Sequence, residues 1–294
     1  MKNTLKKISA FAMAFTLLST GTAITQSIAP TFDNSITASA ANAISPDYYS
    51  YNGPSYLSFV KALKYIGVDT SAKNLKIIAK ANGISNYNGS YLQDAYLLRL
   101  LKQGKLKKPS VVDIFMDIDA DDWFVPDVQF VYNREIMIGK TKDIFDPTGL
   151  LLREEFVQAL YNHQGKPSVS GTNPYPDVNE DAWYYNAVIW AKQNDIANGY
   201  GNGNFGVGDP ITREQFALML YKYAGLCGYD QTALAGKSSS YNDSSIISSW
   251  AKTAMDWVLT QDLLNCSDNK LDPQGNTTRA ECAHSLKKLF ERYE

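Results

Sequence analysis

The chain has 294 residues, 45% of them apolar, and a net charge of −2, enough for one or two ordinary cores. Its three cysteines, Cys227, Cys266 and Cys282, exclude a complete disulfide framework and read as thiols serving as small apolar groups. The two histidines, His163 and His284, stand at no metal-ligand spacing with a cysteine or carboxylate, so no metal, cofactor or nucleic-acid partner is expected.

The amino terminus reads as an export signal over residues 1–43. Lys2, Lys6 and Lys7 precede an apolar run from Ile8 to about Leu18. Small residues follow, and both Ala38-Ser39-Ala40 and Ala41-Asn42-Ala43 fit a cleavage site. The run is too short to span a bilayer comfortably, which favours a cleaved signal over the alternative of an uncleaved membrane anchor, and no later segment is long and apolar enough. The expected product is a secreted chain beginning near Ile44.

Residues 44–109 predict a small, basic helical module. Ser55 to Ile66, Ala72 to Asn82 and Tyr91 to Gln103 carry apolar residues three and four apart, separated by Gly67, Gly83 and Gly89. Ten lysines and arginines against three acids give this segment +7, whereas residues 110–294, with fifteen against twenty-six, carry −11. Such a split implies two modules with different partners. Ile77 to Pro109, with Ala81-Asn82-Gly83-Ile84 and Leu100-Leu101-Lys102-Gln103-Gly104-Lys105-Leu106, is similar to short units of some secreted peptidoglycan hydrolases. An anionic wall component suits the charge; a solubilising spacer suits it equally.

The remainder is a threefold repeat over residues 110–166, 167–226 and 227–294. Phe115-Met116-Asp117 aligns with Tyr175-Pro176-Asp177 and Tyr241-Asn242-Asp243. Trp123, Trp183 and Trp250 follow, then Phe130, Trp190 and Trp257, then Ile136, Ile196 and Leu263. Next come Gly139, Gly199 and Cys266, and Phe145, Phe205 and Leu271. Each unit closes on a helix start: Leu152-Arg153-Glu154-Glu155, Thr212-Arg213-Glu214-Gln215 and Thr278-Arg279-Ala280-Glu281. Two helices joined by a loop are predicted per unit, with Trp183, Ala187, Trp190 and Ala191 on one face of the second unit's first helix. Thr212 with Gln215 and Thr278 with Glu281 read as capping boxes. Leu152 leaves the first copy without a capping hydroxyl, about 1 kcal/mol weaker. Since a two-helix unit cannot bury its apolar face alone, three units should pack around a shared core.

Arg153, Arg213 and Arg279 occupy the end of a helix that disfavours cations. A repeated exception calls for compensation. One source is a bound carboxylate or phosphate held by guanidinium and free backbone N–H groups. The other is an internal ion pair, for instance with Asp117, Asp177 or Asp243. Chemistry alone leaves both open. The tryptophans are similarly open between sugar stacking and core packing, with Trp190 and Trp257 better core candidates than Trp123, Trp183 and Trp250.

These motifs resemble the S-layer homology family, whose signature runs from an aromatic-x-Asp opening, through Trp and a Gly-Ile-type turn, to Thr-Arg-Ala-Glu, matched by Thr278 to Glu281. The resemblance implies an all-α, three-lobed pseudo-trimer around a central helical bundle, with a small helical module ahead of it. It also implies non-covalent attachment to a secondary cell-wall polymer at the cell surface, often through a pyruvylated sugar, and no catalytic activity. By position it assigns the pyruvate carboxylate to Arg153, Arg213 and Arg279. Sugar contacts fall to Asp117, Asp177, Asp243, Trp123, Trp183 and Trp250, with Gly139 and Gly199 permitting close approach. Cys266 in place of glycine and the missing capping threonine predict that one or two grooves bind weakly. Two alternatives remain: an adaptor using residues 44–109 to hold another protein or glycan, and an accessory wall hydrolase. Asp119, Asp121 and Asp122, the densest acidic cluster, look like capping and solvation ahead of a helix.

Overall fold

The computed structural model describes residues 45–293; the export signal lies outside them. Ten α-helices and two short 3-10 turns make up the regular structure of the described residues, with no sheet.

The amino-terminal module contains α1 (Phe59–Tyr65), α2 (Ala72–Ala81) and α3 (Tyr91–Lys102). Its own small core comprises Phe59, Leu63, Ile78, Leu97, Leu101 and Leu106. The first helix starts later than its apolar spacing suggests. Ser58 is extended at φ −68° and ψ 163°, and a turn closed by Leu57 N–H on the Pro54 carbonyl precedes it. Gly67, Gly83 and Gly89 separate the helices in left-handed conformations that glycine adopts freely. Lys73 pairs with Asp143 and Lys80 with Asp113, seating α2 on the first repeat. The short α4 (Val111–Ile114) follows.

Each repeat then contributes one pair of helices: α5 (Val125–Asn133) and α6 (Arg153–His163), α7 (Tyr185–Gln193) and α8 (Arg213–Cys227), α9 (Lys252–Thr260) and α10 (Arg279–Tyr293). The first helices end alike. Glu135, Asp195 and Asp262 take φ of 56°, 56° and 55°. The next residue, Ile136, Ile196 or Leu263, returns its N–H to the carbonyl of Val131, Ala191 or Val258. This hydrogen bond stops the helix and turns an apolar side chain inward. The second helices start on the expected caps. Gln215 N–H donates to Thr212 Oγ1 at 3.3 Å and Glu281 N–H to Thr278 Oγ1 at 3.2 Å. The first copy keeps half the box: Leu152 N–H still donates to Glu155 at 3.2 Å.

The three second helices form the central bundle. Phe156, Phe216 and Phe290 are fully buried there, with Phe156 and Phe216 rings 4.5 Å apart. Truncating any one to alanine should cost about 3–5 kcal/mol. Each second helix packs on the first helix of the next lobe: α6 on α7, α8 on α9, α10 on α5. Backbone hydrogen bonds close the same cycle. Leu151 N–H donates to Thr277, Thr277 to Ile211 and Ile211 to Leu151, at 2.9, 3.0 and 2.9 Å. Each lobe is thus completed by its neighbour, and the third returns to the first.

Candidate functional site

The repeated aspartates organise the loop of their own lobe. Asp117 accepts the N–H groups of Phe145 and Asp146, Asp177 those of Phe205, Gly206 and Val207, and Asp243 those of Leu271 and Asp272. Desolvation pushes the Asp177 and Asp243 carboxyls up, but these N–H donors outweigh it and hold both below the ordinary range. The aspartates therefore fix the loop on which the next feature rests.

That feature is the arginine of the preceding lobe. Arg153, Arg213 and Arg279 are buried, at 3, 6 and 4% exposure. Arg153 Nε donates to the Phe205 carbonyl at 3.1 Å, Arg213 Nε to Leu271 at 2.7 Å, and Arg279 Nε to Phe145 at 2.8 Å. The terminal nitrogens continue into the same loops, Arg213 Nη2 to the Asn265 carbonyl and Arg279 Nη2 to Ile138. Each Nη1 faces the capping residue of the next lobe: Arg153 with Gln215 at 3.2 Å, Arg213 with Glu281 at 3.0 Å, Arg279 with Glu155 at 3.4 Å. The internal partners are thus carbonyls and cap residues of a neighbouring lobe rather than Asp117, Asp177 or Asp243. A cation at a helix start is tolerated because carbonyl dipoles and a cap side chain face it from outside. The neighbouring acids add to the lock. Glu154 accepts Gly208 N–H, and burial raises its carboxyl above the usual range; Glu214 accepts Ser248 N–H and Oγ.

The tryptophans divide. Trp190 and Trp257 are buried, whereas Trp123, Trp183 and Trp250 are 55, 63 and 49% exposed. Trp183 does not share the buried face of Ala187, Trp190 and Ala191, because it stands in the turn ahead of α7. It lines a groove of about 740 Å³ together with Ile138, Lys140, Gln158 and Arg279, a site assembled from all three lobes. A second hollow, about 450 Å³, lies beside Arg213 with Asn265, Ser267, Lys270 and Glu281. Trp123 stands 5.8 Å from His284 at the junction of the third and first lobes. There His284 Nδ1 and Lys287 meet the buried carboxylate of Asp127 at 2.8 and 3.1 Å.

Gln158 and His284 were not legible as site residues. They occupy the same position in α6 and α10, where α8 has Leu218, and no motif marks it. Gln158 Oε1 and His284 Nε2 are buried without a hydrogen-bond partner among the described residues. Such groups are costly unless a ligand or water satisfies them.

Gly139 and Gly199 serve a close approach within the loop itself. A Cβ on Gly139 would lie 2.4 Å from the Thr141 carbonyl, and one on Gly199, at φ 70°, 2.5 Å from that of Asn204. The third loop, one residue shorter, accommodates Cys266, and Arg213 Nη2 approaches its sulfur to 4.0 Å. All three cysteines are free; Cys282 is buried and the other two half-buried. Asp122 accepts Asp119 N–H in the turn ahead of α5.

The repeated Asp-anchored loop, the cross-lobe arginine and the projecting tryptophan coincide with three matches to the S-layer homology domain, at residues 114–157, 174–217 and 240–283. The chain carries three tandem S-layer homology domains. Among its relatives, an endoglucanase of Bacillus sp. (strain KSM-635) is 29% identical over 180 residues, 60% of this chain and 18% of that protein. The exoglucanase XynX of Acetivibrio thermocellus is 29% identical over 237 residues, 77% of this chain and 21% of that protein. The surface-layer 125 kDa protein of Lysinibacillus sphaericus is 23% identical over 171 residues, 57% and 14% respectively. The chain matches about a fifth or less of the length of these relatives. The S-layer homology domain is a cell-wall anchoring module, and no helix among the described residues is long and apolar enough to cross a membrane.

Proposed function

We propose that this protein is a non-catalytic surface protein that attaches to the cell wall by holding a secondary wall polymer in the grooves between S-layer homology lobes. The observation that carries this reading is the groove beside Trp183. It combines an exposed indole for stacking on a sugar ring, the unpartnered Gln158 Oε1 for a sugar hydroxyl, and two cations, Lys140 and Arg279. Both cations meet Glu155. An acidic sugar, such as a pyruvylated one, would enter by competing with Glu155 for them, and Lys140 is the more accessible partner. The buried arginines then serve chiefly to hold the groove walls, and the exposed indoles of Trp183 and Trp123 make the sugar contacts. Co-sedimentation with purified sacculi tests the proposal. The protein should pellet with intact sacculi and stay in solution, or bind far more weakly, once the secondary polymer is stripped. Equal pelleting on both would overturn it.

A second contact is favoured by the surface of α3. Leu92, Tyr96 and Arg99 lie along one exposed face, with Arg99 5.5 Å from the Tyr96 ring. Lys102 continues the face and bonds the Ser55 carbonyl, next to Tyr56, which is 84% exposed. Exposed aromatics interleaved with cations suit an anionic glycan strand such as peptidoglycan. Residual binding to stripped sacculi should weaken with salt and disappear in Tyr96→Ala/Arg99→Glu. If that variant retains it, the module is a spacer.

A further inference from the structure

The three junctions are built on one plan, but the second differs from the others in several linked positions. Tyr200 follows the turn glycine where the first lobe has Lys140 and the third Ser267. Its ring lies 4.5 Å from the Arg153 guanidinium, over the face where Arg279 and Arg213 border open grooves in the other two junctions.

The loop has been rearranged to seat that ring. Lobes one and three carry Asp146-Pro147-Thr148-Gly149 and Asp272-Pro273-Gln274-Gly275; lobe two reverses the ends to Gly206-Val207-Gly208-Asp209. A Cβ on Gly206 would stand 2.4 Å from Tyr200 Cε2, so an aspartate there would push the ring out of its present seat. The displaced carboxylate, Asp209, lies beside the Tyr200 phenol, whose pKa is raised mainly by burial, with Arg153 opposing and Asp209 adding to the rise. The facing helix has changed as well. At the position of Gln158 and His284, each with an unpartnered buried polar atom, α8 presents Leu218, packed against the core. Stacking a planar guanidinium on an aromatic face is favourable, and Leu218 offers a ligand no polar atom where the other two helices do.

We propose that Tyr200 is the specificity-determining residue among the junctions: it fills the second groove from within, so that wall-polymer binding is confined to the junctions of Trp183 with Arg279 and of Trp123 with Arg213. This rests on the wall-polymer reading above.

The test is isothermal titration of the full secreted chain with short oligosaccharides released from purified secondary wall polymer. Two sites are expected in the wild type. Trp183→Ala and Trp123→Ala should each leave one. Trp250→Ala, which removes the exposed indole of the second junction, should leave both sites with affinity changed less than twofold. Tyr200→Ser/Leu218→Gln should add a third site, and Tyr200→Phe, which keeps the ring, should not. A site lost in Trp250→Ala, three sites in the wild type, or two sites in the double variant with its helical content intact would overturn the proposal while leaving wall binding standing. Absence of binding by the wild type would remove the wall-polymer reading and this one with it.

Discussion

Replacing Arg213 by alanine separates a structural arginine from a ligand-binding one. The guanidinium donates to the Leu271 and Asn265 carbonyls at 2.7 and 2.6 Å and to Glu281 at 3.0 Å, with side-chain exposures of 7% for Arg213 and 25% for Glu281. Removing one partner of a buried charge pair costs about 3–5 kcal/mol. Glu281 is partly solvated and keeps its bonds from Thr278 N–H and Oγ1, which places the variant near the lower end, at about 3 kcal/mol. For a domain of this size each kcal/mol lowers the melting midpoint by about 2–4 °C, so a fall of roughly 6–12 °C is expected. Differential scanning calorimetry measures it. A fall below about 2 °C, under one kcal/mol on that scale, combined with loss of sacculus binding, would refute the reasoning and return Arg213 to direct ligand contact.

Trp183→Ala should do the opposite: stability within about 0.5 kcal/mol of wild type because the ring is exposed, and binding to intact sacculi weakened about tenfold, or 1.4 kcal/mol. Gly199→Ala should destabilise by at least about 1 kcal/mol, since alanine is strained at φ 70° and its Cβ meets the Asn204 carbonyl. Gly201→Ala, whose Cβ would enter open space, should be nearly neutral in the same denaturation assay. The lowered carboxyls of Asp177 and Asp243 stabilise the fold fully above the ordinary aspartate value of 3.8, and that contribution disappears as pH falls through their lower native values. Acid unfolding followed by circular dichroism below pH 3.8 should therefore be shallower in Asp177→Asn than in wild type.

The lobes were legible because their signals are local. Cap residues lie three positions apart, and the apolar positions Phe216 and Leu220 recur within one helix. The left-handed helix ends at Glu135, Asp195 and Asp262 were not, because acidic residues rather than glycine occupy them. The direction of the arginines was also hidden. A guanidinium at a helix start announces that something anionic or dipolar faces it, but Phe145 and Arg279 lie 134 positions apart and no spacing rule connects them. Their carbonyl partners make truncation of these arginines costly to stability as well as to any ligand contact. Trp183 leaves the buried face because it stands two residues ahead of the start of α7, where helical periodicity no longer holds.

The closed cycle has a consequence for how such a module can bind. The groove beside Trp183 takes its loop and helix from the first lobe, its indole from the second and its arginine from the third. No single lobe therefore contains a complete groove, and a fragment of two lobes keeps only one of the three arginine locks. Removing the third lobe would strip Arg279 from the Phe145 and Ile138 carbonyls and break the ring of hydrogen bonds through Leu151, Ile211 and Thr277. The first loop would then lose the buried cation that fixes its carbonyls, and the groove with it, although its tryptophan and glutamine remain. Stability and recognition are coupled because the residues that close one lobe on the next also form the walls that a glycan would enter, so a site can be retuned only at positions outside the lock, such as those of Lys140, Tyr200 and Ser267.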